Sequence, residues 1–313
     1  MGNLTRQKLN DFYEQFKPVD VTFTKEIIHT TGLTQKEVQL KCGSDFYPCV
    51  IYSASFEKAK VVANNKSGLL DKLKETGNSL SIRFFFKRAE HDQQIVFLVP
   101  ARMTSSSAYG ASEDMTFFSL DFSARPPDDL IEIIGCILEA NINSTKRRNE
   151  PLLITPDVMR KTGLATKEVS VVVGDHTNKC VLRELSFGGA RVIAMSKTPL
   201  EIDENASITI EFEDPREQCV IEAKILKVDK VTAAQNMFII TLDYTGHVPM
   251  IYKVRLNVVL SQIKQKDDAA DKSSSKKTAD STPSAQNPVD GATETPAAEQ
   301  NPAGEAANVA DGK

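Results

Sequence analysis

Residues 31–63, TGLTQKEVQLKCGSDFYPCVIYSASFEKAKVVA, align without a gap on residues 162–194, TGLATKEVSVVVGDHTNKCVLRELSFGGARVIA, at an offset of 131. Thr31/Thr162, Gly32/Gly163, Glu37/Glu168, Gly43/Gly174, Cys49/Cys180, Ser55/Ser186, Phe56/Phe187 and Ala59/Ala190 are identical pairs. Farther on, SIRF (81–84) lies over TIEF (209–212) and LDF (120–122) over LDY (242–244), so the offset shrinks to 128 and then 122. The extra residues of the first copy are expected in MTSSSAYGASEDM (103–115), read as a mobile connection because it is rich in Ser, Gly and Ala. Self-similarity on this scale implies duplication, so any fold proposed for one half must also suit the other.

Within each copy the pattern is extended. EVSVVV, CVLREL, ARVIA, SITIEFE, CVIEAKILKV and MFIITLDY are short runs rich in Val and Ile, several alternating with polar residues and separated by Gly, Pro, Asn or Asp. That spacing suits an antiparallel barrel or sandwich. Each copy then closes in a predicted helix: DDLIEIIGCILEA (128–140) after Pro126-Pro127, and PMIYKVRLNVVLSQI (249–263) opened by Pro249. The unit is read as a small β-barrel followed by a helix, present twice.

From Lys266 onward the chain has no aromatic residue and no Leu, Ile, Met or Cys, so it is expected to stay disordered. This tail holds five Lys against nine Asp and Glu, leaving 33 basic and 33 acidic residues in residues 1–265. A neutral body argues against duplex nucleic acid as a partner, and any anion must be caught by a local cluster. No apolar run reaches the ~18 residues of a membrane span, and the start MGNLTRQKLNDFYEQF lacks a secretory core, so a cytoplasmic protein is expected. Five Cys without a C-x-x-C pair and four scattered His point to no disulfide framework, metal or catalytic centre. Phosphate loops, nucleophile elbows and H-E-x-x-H are also missing, so no enzyme is expected.

The copies differ at one corner. Ser186-Phe187-Gly188-Gly189 in the second reads Ser55-Phe56-Glu57-Lys58 in the first, so the shared fold does not demand the two glycines. Ahead of the second barrel stands Lys146-Arg147-Arg148; the matching run before the first, DFYEQFKPVDV, has one Lys and no Arg. The second copy alone joins a cation cluster to a bare Ser-x-x-Gly turn.

With those two elements the sequence resembles the PilZ family of bacterial cyclic di-GMP receptors, whose signature pairs Arg-x-x-x-Arg with Asp/Asn-x-Ser-x-x-Gly. LRELSFGGARV supplies Ser186 and Gly189, with Glu184 in the Asp/Asn place; Arg147-Arg148 open the first element, but its second Arg falls on Leu152. The resemblance covers residues 143–263, and the first unit resembles the divergent PilZ-like barrel that precedes PilZ domains in spirochaete proteins. It implies two tandem PilZ-type antiparallel barrels, each with a C-terminal helix: 1–142, 143–263, and a disordered tail 264–313. It also implies a cyclic di-GMP site at Arg147, Arg148, Ser186, Gly188 and Gly189, with Glu184 accepting from guanine and Lys146 or Arg183 compensating for Leu152. No cofactor is implied. The expected function is a second-messenger receptor in which ligand at the junction orders residues 143–152, reorients the barrels and controls an unidentified protein partner. The alternative is a degenerate tandem that binds no nucleotide and serves as a structural or adaptor protein, with motility or envelope machinery as partners by family analogy.

Overall fold

The computed structural model describes residues 4–87, 94–110, 112–195, 201–213, 216–231 and 236–277. Each half is a closed six-stranded antiparallel barrel with a short seventh strand on one rim. In the first, β1 (Val21–Thr22) is that rim strand. The wall comprises β2 (Gln39–Cys42), β3 (Asp45–Ala54), β4 (Lys58–Asn64), β5 (Ser79–Lys87), β6 (Gln94–Tyr109) and β7 (Ser112–Phe122), closed by β3 pairing with β4. In the second, β8 (Leu152–Leu153) is the rim strand. Its wall runs through β9 (Glu168–Val173), β10 (His176–Leu185), β11 (Gly189–Met195), β12 (Asn205–Phe212), β13 (Glu217–Lys230) and β14 (Met237–Tyr244), closed by β10 with β11.

Alternation explains the walls. Val169, Val171 and Val173 of β9 point inward with Ile208, Ile210 and Phe212 of β12, while the residues between them face outward. The first interior is more aromatic: Phe84, Phe86 and Phe97 gather with ring centroids 5.6–6.1 Å apart. The duplication reaches local detail. A bulge interrupts β3 between Ile51 and Ser53 and β10 between Leu182 and Glu184. Short helices α2 (Lys25–Thr31) and α5 (Pro156–Thr162), following α1 (Arg6–Phe16), are capped by the equivalent Thr24 and Thr155 and end on left-handed Gly32 and Gly163.

Register corrects the alignment. Gln39 pairs with Arg83 and its counterpart Ser170 with Thr209, an offset of 126, so FFF (84–86) rather than SIRF is the partner of IEF (210–212). A slip of two leaves every side chain on its own face, which is why the pattern hid it. The offset has reached 122 by Val99/Ile221 and stays there through Leu120/Leu242. The first copy's extra residues therefore sit before β5, where α3 (Leu69–Glu75) is inserted, and between β5 and β6. They are not in 103–115, where β6 and β7 pair as a hairpin with register shifts at Met103/Ser105 and Ala108/Tyr109, and Gly110 turns with φ 62°.

Two long helices join the halves: α4 (Asp128–Lys146) and α6 (Met250–Lys277). Both run past the predicted ends, and residues 278–313 of the predicted tail lie outside the described residues. α4 closes the first barrel and leads into the second, as α1 leads into the first. The α1–α4 contact sets Phe12 against Gly135; the same step along the repeat sets Asn143 against Asn257 on α6, Nδ2 donating to Oδ1 at 2.7 Å. Asn257 also donates to Glu139 at 2.9 Å, and Glu139 takes Lys8 as its ion partner. Met250 and Val254 of α6 join the first core, while Tyr252, Leu256 and Leu260 enter the second. His29–Glu217 and His247–Glu26, each 3.1 Å apart, bridge the barrels in opposite directions.

Candidate functional site

Leaving α4, the chain makes a tight turn in which Glu150 N–H donates to the Arg147 carbonyl at 3.1 Å. The Arg148 carbonyl then accepts from Gly188 N–H at 2.7 Å, and the Gly188 carbonyl from Tyr244 N–H at 2.7 Å. This stitches the linker, the β10–β11 turn and β14 together. The Arg148 side chain lies across Gly188, with Nη1 3.1 Å from Asp243 Oδ1 and Nη2 2.9 Å from the Tyr244 carbonyl oxygen. A Cβ on Gly188 would come within 2.6 Å of Arg148 Cγ, and one on Gly189 within 2.1 Å of the Leu242 carbonyl oxygen. The two glycines thus answer to different neighbours in the second copy, one to an arginine passing over it and one to the backbone of a neighbouring strand.

Beside this corner lies a groove of about 190 Å³, lined by Asn149 and Pro151 of the linker, Glu184 and Ser186, Gly188–Arg191, and Leu226, Thr241 and Asp243. Ser186 holds the turn: its N–H and Oγ both donate to the Gly189 carbonyl, at 2.9 and 3.2 Å. Its own carbonyl accepts from the Tyr252 hydroxyl of α6 at 2.7 Å. Glu184 and Arg191 face each other across β10 and β11, with Arg191 Nη1 3.2 Å from both carboxylate oxygens.

The sequence-predicted residues separate into two groups. Glu184, Ser186, Gly188 and Gly189 line the groove, and Arg148 lies beside it across Gly188 and against Asp243. Arg147 turns away: it grips Glu150 through Nε and Nη2 and donates to the Leu260 carbonyl at 3.0 Å. The Glu150 hydrogen bonds hold its guanidinium more firmly protonated than usual, against partial desolvation. Its counterpart is Phe16, a buried residue, so the position anchors a helix end in both copies. Lys146 is exposed on the last turn of α4, and Arg183 is exposed with Nε 3.8 Å from Glu184. Residues 143–146, expected in a flexible segment, belong to α4. Leu152 pairs with Leu185 and is 3% exposed, like Val21 in the first copy, which makes it a core position. Arg191, Asn149, Thr241 and Leu226 were not singled out from sequence. Asp243 entered only as part of the LDF/LDY match, and its role as the Arg148 partner needs the β11–β14 register.

The first barrel shows what the groove becomes without these residues. Lys17, equivalent to Arg148, pairs with Glu57 at 3.4 Å, and Lys58 and Lys60 converge on Asp20 at 4.0 and 3.6 Å. Ser55 Oγ accepts from the Glu57 and Lys58 N–H groups at 3.1 and 3.2 Å. The backbone frame is kept, but charged side chains occupy the corner. Among the described residues no cluster of three or more His, Cys, Asp or Glu could hold a metal, and no helix is long and apolar enough to cross a membrane.

Comparison with known proteins agrees with this architecture. One family, the PilZN3 domain, matches both halves, at residues 7–141 and 144–258, so the two barrels fall under a single description. A "Cyclic di-GMP binding protein" of Treponema denticola is 35% identical over 267 residues, 85% of each chain. Among solved structures, Borreliella burgdorferi PlzA in complex with c-di-GMP aligns over 82% of this chain and 99% of its own, at 20% identity and a TM-score of 0.37. Escherichia coli YcgR in complex with c-di-GMP aligns over 85% and 92%, at 12% identity and a TM-score of 0.27. With the same domain matched twice and a relative aligned along most of its length, the chain belongs to the PilZ family, as a spirochaete-type protein of two PilZN3 domains.

Proposed function

We propose that this chain is a non-enzymatic receptor for cyclic di-GMP, with the ligand seated in the second barrel's groove against Arg148, Glu184, Ser186, Gly188 and Gly189. One observation carries the reading: the copies share a backbone corner, and only the second leaves it bare beneath an arginine. The name of the Treponema denticola relative supports the same ligand. A guanidinium suits a phosphate or a guanine face, and bare backbone lets a large anion approach. At about 190 Å³ the groove is smaller than the ~300–1,000 Å³ of enclosing pockets, so the linker must cover the rest of the ligand.

The ligand's phosphate competes with Asp243 for Arg148. Moving Arg148 pulls on the linker, and the linker continues directly from α4, which is part of the first barrel's core. Ser186 is tied to α6 through Tyr252, so the turn and both long helices respond together. The output is a changed angle between the barrels, read by a protein partner in the cytoplasm, with motility control the fitting process.

Isothermal calorimetry with cyclic di-GMP on wild type and Arg148→Ala tests the site. Loss of one charge-assisted contact lowers affinity roughly ten- to a hundredfold. No heat with wild type, or equal heats for both proteins, overturns the reading. A second reading, an adaptor that binds no nucleotide, draws on Arg148 and Glu184 already having ion partners of their own. It requires that pull-downs recover the same partners with and without the nucleotide.

A further inference from the structure

Two arginine–carboxylate pairs stand at the groove: Arg191 with Glu184, both in its lining, and Arg148 beside it with Asp243, which lines it. We propose that Arg191 is the residue that makes the site read guanine, acting with Glu184 as a joined donor and acceptor. The proposal rests on the receptor reading above and extends it to specificity.

The second Arg expected from the resemblance falls on Leu152, a buried residue of β8, and neither Lys146 nor Arg183, the cations expected to compensate, lines the groove. Arg191 supplies the second cation from another strand. It is the cross-strand partner of Glu184 beside the β10 bulge, so the sheet fixes the two side chains next to each other on the outer face. Both line the groove, and Arg191 Nη1 alone makes the 3.2 Å contacts to the two carboxylate oxygens. The first copy has no such pair: Ser53 is buried at 3% exposure, and Lys60 turns to Asp20 at 3.6 Å.

A guanine Watson–Crick edge presents two donors, N1–H and N2–H, beside one acceptor, O6. A carboxylate flanked by a guanidinium offers the complement, the carboxylate accepting and the arginine donating to O6. Adenine presents an acceptor at N1 and a donor at N6, which sets N1 against the carboxylate and an amino group against the guanidinium. Lysine keeps the charge but loses the planar fork that can hold a carboxylate and a carbonyl oxygen together.

The experiment compares binding of cyclic di-GMP and cyclic di-AMP to full-length wild type, Arg191→Gln and Arg191→Lys. Side-chain exposure of 39% for Arg191 lets both variants fold, with thermal melting as the control. Wild type is expected to prefer cyclic di-GMP. Arg191→Gln should lose roughly ten- to a hundredfold in cyclic di-GMP affinity, with a smaller change for cyclic di-AMP, so that selectivity narrows. Arg191→Lys should narrow selectivity while retaining more affinity. Equal losses for both ligands, unchanged selectivity in both variants, or a wild type without preference overturns the guanine-reading role while leaving the receptor reading intact. A wild type that binds neither ligand overturns both.

Discussion

Replacing Gly189 by alanine puts a methyl carbon 2.1 Å from the Leu242 carbonyl oxygen, more than 1 Å inside ordinary van der Waals contact at 3.4 Å. That oxygen cannot retreat, because β14 is held by β11 on one side and β13 on the other. The strands must part locally, and overpacking of this kind costs about 1–3 kcal/mol. For a barrel of this size, that corresponds to a fall in Tm of about 4–12 °C. Gly188→Ala is the internal control. The atoms nearest its methyl belong to the Arg148 side chain, 2.6 Å at Cγ, and that side chain, 45% exposed, turns outward once it leaves Asp243 and the Tyr244 carbonyl. Its loss of stability should be the smaller one, about 0.5–1.5 kcal/mol, set by the broken Arg148 bonds to Asp243 and the Tyr244 carbonyl. Thermal and urea melts of the three proteins decide it. A Gly189→Ala protein that melts with wild type, or two variants equally destabilised, would refute the assignment of one glycine to a strand contact and the other to an arginine.

Other outcomes follow from the same geometry. Tyr252→Phe removes the hydroxyl that reaches the Ser186 carbonyl and lies 3.3 Å from the Tyr244 hydroxyl, so urea unfolding should show a loss of about 1–3 kcal/mol. Gly135→Ala sets a methyl 2.1 Å from the Phe12 ring and should loosen α1 from α4, seen as faster amide exchange in α1. Burial pushes the thiols of Cys49, Cys136 and Cys219 up to about 12 and that of Cys180 to about 11. Unfolded thiols ionise near pH 8.5, so above that pH the unfolded chain binds fewer protons than the native one. Stability should be level below pH 8 and fall from about pH 8.5 toward pH 11, and a urea midpoint that fails to drop between pH 8 and pH 10 would contradict the burial.

Periodicity and repetition carried most of the fold. Alternating valines announced β9, whereas the matched Thr-Gly pairs were read only as repeat identities, and the two short helices that end on left-handed glycines there were not read from the sequence. Where the text failed, the reason is physical. SIRF and FFF place apolar residues at the same parity, so only the pairing of Gln39 with Arg83 separates the two registers. The serines of 103–115 looked like a loop because composition cannot see that β7 is there to pair with them. At the site, neighbouring arginines are alike in sequence, yet the turn at the end of α4 sends Arg147 to Leu260 and Arg148 to Asp243. Arg191 was legible in principle, since the Ser186–Gly189 turn brings it opposite Glu184.

One rod belongs to two bodies. Because α4 is the last helix of one module and the first of the next, no cut between residues 128 and 146 yields two intact halves. The duplicated units overlap instead of abutting, and the shared helix is a splint spanning the joint. Its carboxyl end runs into the linker that meets Gly188, and its Ile137, Ile134 and Leu130 sit in the core of the opposite barrel.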